Sequence, residues 1–252
     1  NDFAALEREL ASGDVACVLA EPAMTNVGIV LPAPGFHAHL RAATRATGTL
    51  LVLDETHTLS AGPGGCTRRD ALEPDIVTVG KPLASGLAAA AYGLSAAVAA
   101  QVAAAIRTDE SDTGGIGGTL AGNALAMAAM RATLEQVLTE TAYAGMFALA
   151  ERFEAGVQTA VAEAGLPWIV QRLGARVEYW FRDRPPTNGG EAAASIDPEL
   201  DRYMHLAALN RGILMTPFHN MALMSPATTA EDVDRHTLAF RESVAALLGE
   251  TP

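Results

Sequence analysis

Two side chains define the chemistry open to this sequence: an acid, Asp54, and an amine, Lys81. Lys81 is the only lysine; the other 16 of the 17 basic residues are arginine. A GC-rich genome replaces Lys with Arg for no physical reason, and such a bias leaves lysine where arginine cannot substitute. An amine that loses its proton and attacks a carbonyl is one such role, since a guanidinium cannot do this. Asp54 closes the apolar run Leu50-Leu51-Val52-Leu53, where a carboxylate has little hydrophobic reason to stand. Taken alone, Asp54 could cap a neighbouring helix, and Lys81 could be a solvated lysine on the rim of the fold.

The elements that must position these residues follow from periodicity. Val15 to Ala20 reads as a buried strand, Pro34-Gly35 opens a helix to about Thr47, and Leu50 to Leu53 is a second buried strand ending at Asp54-Glu55. Ile76 to Val79 is a third, ending at Gly80-Lys81, and Ala89 to Tyr92 is a weaker fourth. Continuous apolar runs alternating with helices predict a parallel sheet covered on both faces. Glu21, Asp54 and Lys81 all fall at carboxyl ends of strands, where open α/β sheets place their ligands.

Further on, Asn123 to about Ala164 is helical with a break near Leu138-Thr139. Trp168 to Arg172 and Ala175 to Phe181 read as strands joined at Leu173-Gly174, followed by a helix from Pro198 to Asn210. Ile213 to Met215 and Met221 to Met224 read as strands, and Thr229 with Asp232 forms a capping signal for a last helix. This second part reads as a smaller α+β domain. The boundary falls within the long helix, dividing the chain into residues 1–150 and 151–252.

An acid and an amine at neighbouring strand ends suit pyridoxal phosphate chemistry: the lysine forms a Schiff base with the aldehyde, and the carboxylate keeps the pyridine nitrogen protonated so that the ring acts as an electron sink. The surrounding words agree. Leu53-Asp54-Glu55-Thr56-His57-Thr58 followed by Glu73-Pro74-Asp75-Ile76-Val77-Thr78-Val79-Gly80-Lys81 resembles the signature of class III aminotransferases. Ala20-Glu21-Pro22 and Gly118-Thr119-Leu120-Ala121-Gly122-Asn123-Ala124-Leu125-Ala126 resemble two flanking motifs of the family. The closest branch is that of glutamate-1-semialdehyde aminomutase and the aminotransferases similar to it. The resemblance covers most of the chain and is weakest after about Ala164.

The resemblance implies an α/β fold, the fold-type-I transferase sheet (mostly parallel, helices on both faces) followed by the small α+β domain, with pyridoxal 5′-phosphate as cofactor. It implies that residues 1–150 are the second half of the cofactor-binding large domain. Asp54 would pair with the pyridinium nitrogen, and Lys81 would be Schiff-base partner and proton shuttle. Thr56 would pack its methyl on the ring face. His57 would either hydrogen-bond the phenolic oxygen or fill space. Asn26 would lie close to cofactor or substrate. Thr119 would donate to the phosphate of the other subunit, which implies a homodimer. The expected function is amino-group transfer between an amino acid or amine donor and a keto acid or aldehyde acceptor. An aminomutase that returns the amino group to another carbon of the same molecule, and a non-catalytic fragment, are the alternatives.

Several departures bear on this. In the family a long N-terminal part, with a phosphate-binding loop and a ring-stacking aromatic, precedes the Glu-Pro strand, so the chain corresponds to roughly the C-terminal three-fifths of such an enzyme. If nothing supplies the rest, weak cofactor binding and no turnover are expected. Gly62-Pro63-Gly64-Gly65 is glycine-rich but reads as a surface turn. Leu59-Ser60-Ala61 lacks the family's arginine, and Arg176 and Arg211 are the nearest candidates for binding a carboxylate, with surface ion pairs their expected role. Phe218 and Trp180 could line an apolar pocket, with core packing their expected fate. Met215, Met221 and Met224 fit core strands better than a thioether cluster, and His37 and His39 at i, i+2 do not share a helical face, so no metal site is expected.

Composition closes off other classes. Apolar residues make up 50% of the chain, enough for a core, and the net charge of −12 argues against a nucleic-acid or anionic-membrane partner. No apolar run is long enough to span a bilayer, the first residues do not read as a signal peptide and none is expected, and two cysteines, Cys17 and Cys66, build no disulfide framework. A cytoplasmic location follows as the expectation.

Overall fold

In the computed structural model, residues 1–108 and 117–249 are described, without the side chains of residues 107 and 108. Four strands form the first sheet, β1 (Cys17–Ala20), β2 (Leu50–Asp54), β3 (Ile76–Val79) and β4 (Ala91–Leu94), in that spatial order. β1, β2 and β3 run parallel, with Ala20 opposite Leu53 and Asp54 opposite Thr78, so Glu21 and Asp54 leave the sheet on the same side. β4 is antiparallel to β3, which makes the sheet mixed rather than all-parallel. It also starts two residues later than the apolar run suggests.

Helix α1 (Phe3–Leu10) is capped by Asp2, and α2 (Phe36–Thr47) is bounded by Gly35 and Gly48, both in the left-handed region. Leu40 of α2 packs on Leu51 and Leu53, with Phe36, Val18 and Ala20 at the margin, so one face of the sheet is covered by the helix that connects β1 and β2. The opposite face is open: Leu19 of β1 is 66% exposed.

Helix α3 (Gly65–Arg69) and α4 (Ala96–Thr108) precede α5 (Ala124–Ala132), which begins at Asn123 with its side chain accepting from the Ala126 amide. A π-turn over Thr133–Val137 and a new cap at Thr139 separate α5 from α6 (Glu140–Glu163), as the break near Leu138-Thr139 predicts. α6 runs unbroken through residue 150. Its buried positions Tyr143, Met146, Ala150, Phe153, Val157 and Ala160 recur every three or four residues, a single stripe facing the second sheet.

That sheet is antiparallel, ordered β5 (Ile169–Leu173), β6 (Arg176–Trp180) and β7 (Met221–Leu223). Helix α7 (Gly189–Ala194), α8 (Pro198–Asn210) and α9 (Ala230–Leu247) complete the chain, α9 opening on the Thr229–Asp232 capping box. Ile213 to Met215 form no strand. The Ile213 amide instead closes the end of α8 on the Ala208 carbonyl at 3.0 Å, which removes it from any ladder. Met215, Met221 and Met224 are nevertheless all buried. Among the described residues no helix is long and apolar enough to cross a membrane, and no group of three or more His, Cys, Asp or Glu side chains could hold a metal ion.

Candidate active site

The carboxyl ends of β1, β2 and β3 bring Glu21, Asp54 and Lys81 to one rim, and the turn after β2 links them. Asp54 Oδ1 accepts from the Thr56 amide at 2.8 Å. Burial pushes the Asp54 carboxyl up, but hydrogen bonds from the Thr56 hydroxyl and amide and the Thr78 hydroxyl, with the nearby His57, outweigh it and hold the group below its ordinary value. His57 Nε2 contacts Lys81 Nζ, and His57 Nδ1 lies 2.7 Å from Thr25 Oγ1. The Thr25 hydroxyl donates to Glu21 Oε2, whose own distance from His57 Nδ1 is 3.6 Å. Four side chains from three strand ends thus form one line, Glu21–Thr25–His57–Lys81.

Lys81 is held in the left-handed region, at φ 48, directly after Gly80 and before Pro82. A non-glycine residue there costs roughly 1–2 kcal/mol, a strain of the kind that collects at functional sites. A Cβ on Gly80 would stand 3.7 Å from the Thr56 methyl, so Thr56 flanks the backbone that carries Lys81. Burial lowers the His57 pKa, as do Lys81 and Arg176; Glu21 and Asp54 oppose them.

The turn bearing Thr56 and His57 is braced from beneath by Glu55. This fully buried carboxylate accepts from the Thr58 hydroxyl and from the amides of Cys66 (3.0 Å) and Thr67. Oε2 fills the space where a Cβ on Gly65 would lie, at 2.1 Å. The Gly62–Gly65 turn is therefore closed around a protein carboxylate and has no room for a phosphate. From the other side, the Tyr143 hydroxyl donates to the Leu59 carbonyl at 2.9 Å, and the Ala175 amide to the Ser60 carbonyl at 3.0 Å.

Arg176 is buried rather than on the surface, because every position of β6 is covered. Its Nη2 donates to the Thr25 carbonyl at 2.8 Å, and burial lowers its pKa against the opposing charges of Glu178 and Glu21. Glu178, also buried, accepts from the Ile29 amide and from His219 Nδ1, each at 3.0 Å. Arg211 pairs with Glu242 at 2.9 Å, as a partly exposed ion pair. Trp180 is buried as expected, its ring against Gly28, whereas Phe218 is 98% exposed at φ 71, in a turn that leaves no neighbour to pack on.

Asn26 is exposed and bridged to Gly28, and Thr119 is exposed in the segment before α5, whose cap is Asn123. Sequence reasoning singled out Asn26 but missed its neighbour Thr25, which faces His57; a threonine in an irregular segment after a strand carries no periodic signal. It also gave no role to Glu55. The only cue there was a second acid directly after Asp54.

The family model for aminotransferase class-III matches residues 1–242. The glutamate-1-semialdehyde-aminomutase of Pseudomonas aeruginosa PAO1, solved in complex with PMP, is 50% identical with a TM-score of 0.94, over 98% of this chain and 55% of its own. The β-phenylalanine aminotransferase of Variovorax paradoxus is 25% identical with a TM-score of 0.85, over 98% of this chain and 56% of its own. Among curated proteins, the glutamate-1-semialdehyde 2,1-aminomutase of Sorangium cellulosum (strain So ce56) is 37% identical over 98% of this chain and 55% of its own length. The chain spans about half the length of the curated relatives it matches.

Proposed function

The chain belongs to the class-III aminotransferase family, and from that footing we propose that it contributes the cofactor-holding half of a pyridoxal-phosphate enzyme that moves an amino group. The observation that carries this reading is the cluster itself: a carboxylate held in its ionised form at the end of β2 and the sole lysine after β3, with His57 in contact with the lysine and its charge felt by the carboxylate. These residues fit the group. When bound, pyridoxal phosphate supplies an electron-withdrawing ring that stabilises negative charge at the carbon bearing the amino group.

Asp54 would hold a proton on the ring nitrogen, a task suited to a carboxylate kept ionised by its Thr56 and Thr78 donors. Lys81 Nζ would hold the aldehyde carbon covalently and, once released, carry the proton taken from the substrate and return it. The Thr56 methyl would lie against the ring face, and His57 would stand beside the phenolic oxygen. Asn26, exposed near Gly28, would contact cofactor or substrate. Thr119 would reach the phosphate held by a second copy, so the active unit would be a homodimer. Residues 1–150 would then be the second half of the large domain and 151–252 the small domain, with the division inside α6. A cytoplasmic location accompanies this reading.

The substrate pair is an amino donor and a carbonyl acceptor. An aminomutase reading is favoured by the names of the relatives at 50% and 37% identity. Arg176 donates through Nη2 to the Thr25 carbonyl, while its buried Nε has no partner.

The test is an absorbance spectrum of the chain with added pyridoxal phosphate, then borohydride and peptide mass analysis. A reduced adduct on the Lys81 peptide, absent from Lys81→Ala, is expected; an adduct confined to the N-terminal amine, or none, overturns the reading. A single amino substrate without an acceptor then separates the two reactions, since only a mutase turns over repeatedly.

A further inference from the structure

The line of four side chains fixes where its protons sit. A carboxylate only accepts, so the single proton of the Thr25 hydroxyl points to Glu21. The Thr25 oxygen, facing His57 Nδ1 at 2.7 Å, is then left as an acceptor, and Nδ1 must carry the imidazole proton. His57 Nε2 is consequently a bare lone pair turned towards Lys81 Nζ. The turn that carries Thr25 is itself fixed: Met24 and Val30 exchange backbone hydrogen bonds of 3.1 and 2.9 Å, Arg176 binds the Thr25 carbonyl, and Thr25 is fully buried.

We propose that Glu21 and Thr25 are positioning residues that lock His57 in the Nδ1–H tautomer so that Lys81 keeps its own lone pair free for a carbonyl. This rests on the reading of Lys81 as the cofactor-holding amine. With Nε2 as acceptor, an N–H of Lys81 is donated to His57 and the nitrogen lone pair points elsewhere. In the opposite tautomer Nε2–H would donate to that lone pair and mask the electrons needed for attack. The same acceptor also holds Lys81 when it carries a proton as the ammonium. The charged groups around His57 are Lys81 and Arg176 on one side and Glu21 and Asp54 on the other, and burial together with the two cations disfavours an imidazolium.

The first readout needs no cofactor: long-range nitrogen–proton correlation spectra of the chain labelled with ¹⁵N-histidine, with His57 assigned by loss of its signals in His57→Asn. The expected result is the Nδ1–H form in the native chain, a shift towards Nε2–H in Thr25→Val, and recovery in Thr25→Ser. The second is the rate of trace acetylation of Lys81, followed on its peptide. Thr25→Val should slow it about tenfold or more and Thr25→Ser should restore it. A native Nε2–H form, or a Thr25→Val chain with unchanged tautomer, overturns the proposal, as does equal acetylation of both. Failure of Lys81 to capture pyridoxal phosphate with the Nδ1–H form intact would instead overturn the cofactor reading alone.

Discussion

Gly174 lies against the backbone of Ala61: a Cβ at position 174 would stand 2.5 Å from the Ala61 Cα and 2.5 Å from the Ser60 carbonyl oxygen. The β5–β6 turn of the second sheet therefore presses directly on the segment that follows His57. Neither contact is the end of a flexible side chain, and Gly174 sits at φ 60, so both space and backbone resist a side chain. Gly174→Ala should cost about 2–4 kcal/mol, from overpacking and left-handed strain together. Urea unfolding of the two chains checks this; a loss under half a kcal/mol would show that the turn can slide off the site.

Glu55 gives a second prediction about the same loop. Removing its carboxylate strands the Thr58 hydroxyl and the Cys66 and Thr67 amides in a buried setting. Glu55→Ala should lose about 3 kcal/mol or more of stability. Because this turn carries Thr56 and His57, the variant that still folds should also attach pyridoxal phosphate at Lys81 more slowly. Denaturation curves and adduct mass report the two effects separately.

His236 makes stability depend on pH. It packs tilted against Phe153 at 4.3 Å between ring centroids, its Nδ1 is buried without a partner, and burial lowers its pKa to about 4. The unfolded chain, with an ordinary value near 6.5, binds that proton more readily than the folded one. The contribution is intact above about pH 6.5 and is lost as pH falls towards 4, by up to about 3 kcal/mol. His236→Leu should flatten the part of the pH–stability curve between those limits, and an unchanged curve would count against a neutral buried imidazole.

Ala71 offers a stabilising change. It follows α3 at φ 50, and the Leu72 amide returns to the Thr67 carbonyl at 2.9 Å, a helix-end arrangement that favours glycine. Ala71 is exposed, so little packing is lost. Relief of left-handed strain, less the added freedom of the unfolded chain, should leave Ala71→Gly more stable by about 0.5–1 kcal/mol. A thermal unfolding midpoint at or below that of the parent would refute this.

Much of the frame was legible in the chain. The apolar runs marked β1, β2 and β3, and because a parallel sheet puts its loops on one rim, Glu21, Asp54 and Lys81 could be placed together before any coordinates. The breaks at Thr139 and Thr229 were equally readable, since a cap is a local hydrogen bond between residues three apart. Ile213 to Met215 misled because an apolar triplet reads alike on a strand or at a buried helix end. Phe218 misled because hydrophobicity does not tell which way a turn projects its residue.

What the sequence determined by itself was the list of reactive groups and the rim they occupy: one lysine, an acid ending a buried strand, and a threonine and histidine two and three residues beyond it. Those depend on residue type and on short-range periodicity. The tertiary structure alone decided that Arg176 is buried beneath Thr25, that Glu55 fills the glycine turn, and that Thr25 and not Asn26 faces His57. Each of these joins residues far apart in the chain or turns one side chain rather than its neighbour inward. Such choices come from how the segments after β1 and β2 pack within themselves and against the second sheet, and no local pattern records them.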